Sequence, residues 1–236
     1  MKKIFSAVLV ASLFVCVSSS FAARVIPDGE ATFVSMHSGQ AYVDYIVSDT
    51  DLATGIPAAN FIFSTIGGVA PPYKGDKAAY DASTYYYYYQ IENDNIDSLT
   101  TLKQLTLNFF DPAVVISAGF ISDADLDDVT TFNHNVAGEH ENVSSLRDPD
   151  TSDFDEVSFP PNQTWAFSPT ELAIGGESTV LFITSDKQPV LTPAYMLDGT
   201  PFYGDLYVPE SEIPEPFSIM LIGSGLVGLI IKRRKQ

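Results

Sequence analysis

The sequence predicts an all-β fold, an antiparallel β-sandwich of the immunoglobulin-like or jelly-roll-like kind, between an N-terminal signal peptide and a C-terminal transmembrane helix. Three observations lead to this prediction. The 236-residue chain carries its two long apolar segments at its ends. Between them, short runs of β-branched and aromatic residues alternate with Gly, Pro, Asn and Asp, as in antiparallel sandwiches. Little of that region has the periodicity of an amphipathic helix.

The first apolar segment has the three parts of a secretory signal peptide. Residues 1–3 supply positive charge, residues 4–17 are apolar, and Ser20 and Ala22 are the small residues before a cleavage site after Ala22. We therefore predict export by the Sec machinery and removal of residues 1–22. The only cysteine, Cys16, lies in this segment. The mature chain then has no thiol for a disulfide, a zinc–thiolate site or a cysteine nucleophile.

Residues 23–209 are predicted to form one β-sandwich domain. Seven segments in it are rich in β-branched and aromatic residues and are bounded by turn residues. They are residues 42–47, 61–63, 84–91, 102–110, 114–121, 165–167 and 179–184. Before the last of them, Gly175 and Gly176 predict a turn with positive φ. Residues 122–161 are acidic and polar, and they are either a long functional loop or a pair of poorly marked strands.

The charge of the exported part limits its partners. Residues 23–216 contain six basic residues against all 30 acids, a formal charge of −24. Nucleic acids and anionic lipid surfaces would repel such a domain, so we predict no nucleic-acid partner. Divalent cations and neutral or polycationic polymers are better candidates.

Two groups of carboxylates are candidate calcium ligands. Residues 123–128 place Asp at alternate positions, and residues 148–156 hold five further acids. Calcium takes roughly six to eight oxygen ligands, so such groups have the right chemistry. A calcium loop of the EF-hand type needs Gly at its sixth position and Glu at its twelfth, where this chain has Asp128 and His134. A solvated acidic loop is the alternative, and we predict no cofactor while leaving calcium open.

Catalytic and zinc chemistry find little support in the sequence. The three histidines are His37, His134 and His140. The last two are not spaced as H-E-x-x-H, and surface loop histidines are the simpler interpretation. There is no G-x-S-x-G elbow and no S-x-x-K motif, and no acid pair can be selected from 30 carboxylates. We therefore predict no catalytic residues and no metal ligands.

Five consecutive tyrosines lie in the predicted strand 84–91. Tyr85, Tyr87 and Tyr89 would face one side of the sheet, and Tyr86 and Tyr88 the other. One set enters the core, while the other faces solvent, as a stacking platform for sugar rings, or packs on a neighbouring element. Packing is the favoured alternative. We expect alanine at the core set to cost about 3–5 kcal/mol and alanine at the other set to be mild.

The C-terminal segment, residues 210–236, has three parts in a fixed order. Pro214-Glu215-Pro216 comes first, residues 217–231 carry no charge, and residues 232–235 are all basic. A helix over the uncharged part would be roughly 22 Å long, short of the roughly 30 Å hydrocarbon core. It can therefore span a bilayer only if the bilayer thins. The basic end is expected on the cytoplasmic side.

This arrangement, from Pro214 to Lys235, resembles the PEP-CTERM sorting signal of Gram-negative bacteria. The resemblance implies processing by exosortase, a membrane enzyme, with Pro214, Glu215 and Pro216 as the sorting motif. It also implies an inner-membrane precursor held by its C-terminal helix, which then passes to the cell surface or extracellular matrix. A weaker resemblance to the ectodomains of such proteins runs from the tyrosine strand to the segment 176–185, and it implies a fold and no activity.

Together these observations predict an exported structural or adhesion protein of the cell surface or extracellular matrix, without catalytic activity. Its expected partners are the Sec machinery, exosortase, the membrane and, as a further partner, exopolysaccharide. The alternative is a secreted carbohydrate-binding module or a polysaccharide-active enzyme that carries the same sorting signal. A binding module would be retained on matrix polysaccharide, and an enzyme would release reducing ends.

Overall fold

A computed structural model describes residues 27–35, 39–93, 99–129 and 146–211. The predicted signal peptide, the sorting motif and the helix over residues 217–231 lie outside these ranges and stay predictions. Within the described ranges, no helix has the length and apolar character needed to cross a membrane.

The prediction of an all-β fold is confirmed. Strands dominate the described residues, and the helical elements are short: two helices, Lys77–Asp81 and Leu126–Val129, and two 3-10 turns, Ala58–Asn60 and Pro112–Val114. The strands are β1 (Asp28–Ser35), β2 (Gly39–Ser48), β3 (Phe61–Phe63), β4 (Thr65–Ile66), β5 (Val69–Tyr73), β6 (Tyr85–Asn93), β7 (Gln104–Asn108), β8 (Ser117–Ile121), β9 (Leu146–Arg147), β10 (Thr151–Asp155), β11 (Asn162–Ala166), β12 (Gly176–Ser178), β13 (Val180–Ser185), β14 (Pro189–Leu197) and β15 (Pro201–Pro209).

All fifteen strands belong to one hydrogen-bonded sheet, in the order β3-β8-β13-β6-β2-β1-β15-β14-β7-β11-β10-β4-β5. The short strands β12 and β9 attach beside β6. Pairing is antiparallel as predicted, except that β10 pairs with β4 and β12 with β9 in parallel. The structure differs from the predicted sandwich because its strands are joined into one sheet and are not divided between two.

The two ends of this sheet meet around Ser64 and Lys74, where the Ala118 N–H also donates to the Lys74 carbonyl at 3.2 Å. Ser64 separates β3, which lies at one end, from β4, which lies near the other. Its N–H donates to the Ala118 carbonyl at 2.8 Å, and its own carbonyl accepts from the Lys74 N–H at 2.7 Å. The twist that accumulates over many strands bends the sheet back on itself until it nearly closes here. We call this junction the seam.

The core has two parts, one on each face of β6. The inner part fills the space enclosed by the sheet and contains Trp165, Phe154 and Phe202 among its large side chains. The outer part packs Phe182 and neighbouring residues against the short helices and the loop 51–56. As a result, every residue of β6 is buried.

The strand predictions succeed where the apolar pattern is clear. Residues 61–63 coincide with β3, and Gly175 has the predicted positive φ, at 75°. The segment 122–161 contains strands β9 and β10 in its described part, which supports the alternative of poorly marked strands. Strand β8 begins three residues later than predicted, at Ser117, after a 3-10 turn.

The strands β1, β14 and β15 were not predicted, because Gly and Pro interrupt their sequences. The β14–β15 hairpin nevertheless pairs from Pro189↔Pro209 to Leu197↔Pro201. In β15, a Cβ at Gly204 would lie 2.8 Å from the ring of Phe33. Glycine is therefore needed there so that the strand can approach this buried ring.

Burial of β6 on both faces changes the expectation for its tyrosines. We expect Tyr87→Ala and Tyr88→Ala to destabilise the protein by similar amounts, about 3–5 kcal/mol each, because both rings are removed from packed cores. Tyr203→Ala, at a ring that is 66% exposed, is the matched control and should have a small effect. Denaturant unfolding measures the difference, and a mild effect of Tyr88→Ala alone would show that the outer face is not packed.

Candidate functional site

A groove of about 460 Å³ opens at the seam. One wall is apolar and comes from Phe63 and Phe120, at the β3 end of the sheet. The other comes from Tyr73, Ser152 and Asp153, at the β5 end. The ring of Tyr73 is 52% exposed. Because the two walls belong to opposite ends of the sheet, the groove exists only in the nearly closed fold.

Local sequence explains how the apolar wall forms. A Cβ at Gly119 would lie 2.0 Å from the Ile62 carbonyl oxygen, so glycine is needed for β8 to approach β3. The carbonyl of Gly119 accepts a hydrogen bond from Trp165 Nε1 at 2.8 Å. This bond crosses the interior and fixes β8 relative to β11.

A buried polar chain joins the two walls beneath the groove. The hydroxyl oxygens of Ser64 and Ser152 are 2.6 Å apart, and Gln163 Nε2 donates to Ser152 Oγ at 3.1 Å. Gln163 Oε1 is buried without a hydrogen-bond partner in the described part of the chain. Buried polar groups of this kind specify register, since a shifted strand would leave more of them unpaired.

The two carboxylates at the groove differ in their surroundings. Asp150 Oδ2 pairs with Arg147 Nη2 at 2.7 Å, so its charge is largely balanced. Asp153 Oδ1 accepts from the Gly68 N–H and from Thr65 Oγ1, the latter at 3.1 Å. Asp153 thus holds the β4–β5 turn, and its Oδ2 has no hydrogen-bond partner among the described residues.

These groups suit a small, largely uncharged ligand. Ligand sites are concave and mostly apolar, with a few polar groups that set orientation. Here an exposed phenol ring can cover the C–H face of a sugar, while a carboxylate oxygen and hydroxyls such as that of Thr151 can bind its hydroxyls. Arg147 and Lys74, which lie near the groove, are both paired with carboxylates, Asp150 and Glu156, which disfavours an anionic ligand.

A second polar cluster lies on the outer face of β6. Tyr80 and Tyr88 donate to Asp51 Oδ1 at 2.8 and 3.2 Å, and their hydroxyl oxygens are 2.7 Å apart. Lys77 Nζ lies 4.0 Å from Asp51 Oδ2 and 4.5 Å from the centre of the Tyr80 ring. Burial is the main cause that raises the pKa of both tyrosines.

The cluster is structural in character. Asp51 Oδ1 also accepts from the Ala53 N–H at 2.9 Å. The carboxylate therefore holds the loop 51–56 over β6. Sequence analysis missed Asp51 and Tyr80, because nothing in their spacing links a loop aspartate to a helix tyrosine.

The predicted acidic groups meet at one point. Asp148 accepts from Ser122 Oγ at 2.5 Å and from the Asp123 N–H at 3.2 Å, which brings the segments 123–128 and 148–156 into contact. Asp125 Oδ1 accepts from the Asp128 N–H at 2.8 Å. In both cases the carboxylate is used to bind groups of the chain itself.

The other acids of the second group also have partners in the chain. Asp155 accepts from the Ser158 hydroxyl and from the N–H groups of Ser158 and Val157, and these bonds lower the pKa of its carboxyl. Glu156 pairs with Lys74 at 2.8 Å. Within the described ranges, no three His, Cys, Asp or Glu side chains lie close enough together to hold a metal ion.

Several predicted features lie outside the description. The structure does not describe His37, His134 and His140, nor the side chain of Asp127. The zinc and calcium hypotheses that involve these residues therefore stay as they were stated from sequence.

The tyrosine strand does not form a sugar platform. All five rings are at most 6% exposed, with Tyr85, Tyr87 and Tyr89 in the inner core and Tyr86 and Tyr88 in the outer one. The stacking alternative is wrong for these residues, and aromatic packing is confirmed. The expected mild effect of alanine assumed that one set lies outside the core, and that premise is wrong, because both sets are buried.

Comparison of the chain with protein-family models, curated proteins and solved structures finds no match.

The buried tyrosines predict alkaline unfolding. Burial raises the pKa of Tyr45, Tyr80, Tyr86, Tyr88 and Tyr89 above the ordinary value of 10.0. Such groups ionise first in the unfolded chain. Their contribution to stability is therefore complete below pH 10 and is lost as the pH rises above it.

Tyr89 provides the test, because its ring is fully buried and its hydroxyl donates to the Tyr207 carbonyl at 2.6 Å. We expect Tyr89→Phe to reduce the fall in unfolding free energy above pH 10 by about 1.4 kcal/mol per pH unit, one proton's worth. Denaturant titrations between pH 9 and pH 11 measure the slope, with Tyr203→Phe as the control at an exposed ring. An unchanged slope in Tyr89→Phe would contradict the burial of that hydroxyl.

Proposed function

We propose that this chain is an exported structural or adhesion protein of the cell surface or extracellular matrix, sorted by its C-terminal segment. The support from sequence is the order Pro214-Glu215-Pro216, uncharged segment and basic end, which resembles a PEP-CTERM signal. Exosortase is the processing enzyme that this resemblance implies, and the inner membrane is the site of the precursor.

One structural observation carries the proposal. The last strand ends at Pro209, the Glu210 N–H donates to the Gln188 carbonyl at 2.8 Å, and Ser211 Oγ accepts from the Phe110 N–H at 3.2 Å. Pro214 follows three residues later. Cleavage at the motif would leave every described strand and its pairing intact.

The start of the described fold fits the same scheme. The first described backbone contact is the Val47 N–H to the Pro27 carbonyl, at 2.9 Å. Pro27 lies five residues after Ala22, where the signal peptide is proposed to be cleaved. Removal of both signals would therefore produce a chain that still contains the whole described sheet.

A structural role agrees with the way the sheet is built. The mature chain has no cysteine for a disulfide, so the two-sided packing of β6 and the closure at Ser64 hold the described fold together. The high negative charge keeps such a domain soluble and separates its copies outside the cell. No catalytic residue is proposed.

The sorting proposal can be tested in cells. Replacing Pro214, Glu215 and Pro216 with alanine should leave a larger, membrane-retained precursor, because prolines around the glutamate keep the motif extended and accessible. Deletion of the exosortase should give the same product. Mass spectrometry of the mature protein measures the cut, and Glu210→Ala is a control outside the motif. Peptides from residues 217–236 in surface material of wild-type cells would disprove the proposal.

A second candidate function is the binding of neutral polysaccharide in the seam groove. The half-exposed ring of Tyr73 and the carboxylate of Asp153, which both line the groove, favour it. We therefore propose the seam groove, and not the tyrosine strand, as the place where a sugar would bind. The bound polymer would be uncharged or cationic, since the domain repels anions.

Groove binding can be tested on the processed protein. We expect Tyr73→Ala and Asp153→Asn each to weaken retention on neutral polysaccharide by roughly tenfold or more, as for central residues of small binding sites. Tyr203→Ala, at an exposed ring outside the groove, should retain full binding. Affinity electrophoresis measures retention, and an assay for reducing ends separates binding from hydrolysis. Equal retention of all variants would remove the groove as the site.

A further inference from the structure

One end of the molecule carries a protruding apolar surface. Val157 and Phe159, in the turn between β10 and β11, are 94% and 91% exposed. Phe110 at the end of β7 and Leu191 in β14 are 55% and 52% exposed. These four residues are called the apolar tip.

The turn that carries Val157 and Phe159 is held in place. Asp155 Oδ1 accepts from the Val157 and Ser158 N–H groups, each at 2.9 Å. At the other side of the turn, the Pro161 carbonyl accepts from the Phe109 N–H at 2.8 Å. The two side chains are therefore presented to solvent by an ordered hairpin.

Strand register places the other two members at the same end. Asn108 pairs with Asn162, so Phe110 lies beside the β10–β11 turn. Ala194 of β14 pairs with Leu107 of β7, and the two strands are antiparallel. Leu191, three residues before Ala194, therefore lies at the same level as Phe110, three residues after Leu107. Exposed apolar side chains gathered in this way mark an interaction surface.

The chain leaves the described fold beside the same surface. Ser211 Oγ accepts from the N–H of Phe110 itself, at 3.2 Å. Phe217, where the uncharged segment begins, follows Ser211 by six residues, which span at most about 20 Å. A membrane that holds residues 217–231 therefore has the apolar tip within reach of its surface.

We propose that the apolar tip contacts the lipid bilayer while the precursor is held by its C-terminal segment, so that the domain stands with Phe159 and Val157 in the lipid interface. This inference rests on the proposed function, because the membrane is reached through that segment. The contact orients the domain and keeps Pro214-Glu215-Pro216 at the membrane surface, where a membrane enzyme can process it.

The shape and size of the tip favour lipid over a protein. Its two most exposed side chains, Val157 and Phe159, protrude from a turn. Aromatic side chains bury about 150–250 Å² each. Four residues, two of them half-buried already, thus fall below the roughly 800 Å² that each partner of a stable complex buries.

The charges near the tip select the kind of lipid. Asp111, Asp155 and Glu210 lie in or beside its segments, while the nearby Lys74 is paired with Glu156. Anionic headgroups would therefore repel this end, and contact through apolar side chains is expected with zwitterionic lipid.

The test uses the full chain reconstituted into phosphatidylcholine vesicles with brominated acyl chains, which quench tryptophan at short range. Trp165 is 0% exposed and gives a constant background. Phe159→Trp reports on the tip, Tyr203→Trp on an exposed ring near the opposite end of β15, and Ser218→Trp on the C-terminal segment. We expect loss of emission from Phe159→Trp and Ser218→Trp, and none from Tyr203→Trp.

Each outcome decides the matter. Quenching of Ser218→Trp with no more quenching of Phe159→Trp than of Tyr203→Trp would overturn the lipid contact and leave the sorting proposal standing. Quenching of neither Ser218→Trp nor Phe159→Trp would overturn both. Adding Val157→Ser to Phe159→Trp should reduce the quenching of the new tryptophan. Replacing part of the lipid by phosphatidylglycerol should also reduce it. An increase in quenching with phosphatidylglycerol would contradict the proposed contact.

Discussion

The structure depends on one constraint: strand β6 is buried on both faces and carries five tyrosines whose hydroxyls need partners. Tyr87 and Tyr89 donate to the carbonyls of Lys187 and Tyr207, at 2.7 and 2.6 Å. On the other face, Tyr88 and Tyr80 form a hydrogen-bond network in which Asp51 is the acceptor. Buried hydroxyls without partners are costly. The bonds therefore determine where the surrounding turns, the helix Lys77–Asp81 and the loop 51–56 must lie.

Closure of the sheet at Ser64 follows from the same two-sided burial. With β6 covered outside by loop and helices, the inner face has to be covered by the sheet itself, and Trp165 on β11 reaches across to bond Gly119 on β8. The backbone pairing at the seam is short, because β3 has three residues and β4 has two. The groove lies there because short strands leave space that longer ones would fill.

The proposals place different tasks on different parts of the molecule. The groove at the seam is the proposed ligand-binding site, and its lining residues suit a neutral sugar. The apolar tip and the exit of the chain at Ser211 share one end, which suits attachment to a membrane before processing. The charge of −24 on residues 23–216 makes both contacts selective, since anionic polymers and anionic lipid are repelled alike.

The sequence by itself determined the β class and most of the central strands, because these depend on local patterns of side chains and turn residues. The two terminal signals are predictions from the same kind of local pattern. Residues 61–63 and 84–91 were found in this way, and β14 and β15 were not, since their prolines and Gly204 hide strands that the pairing of the whole sheet stabilises. Only the tertiary structure decided that Tyr86 and Tyr88 are buried, that Asp51 meets Tyr80, and that Tyr73 and Asp153 line the same groove. Each of these contacts joins residues far apart in the chain, and it exists because the strands pair in one nearly closed order that local periodicity does not specify.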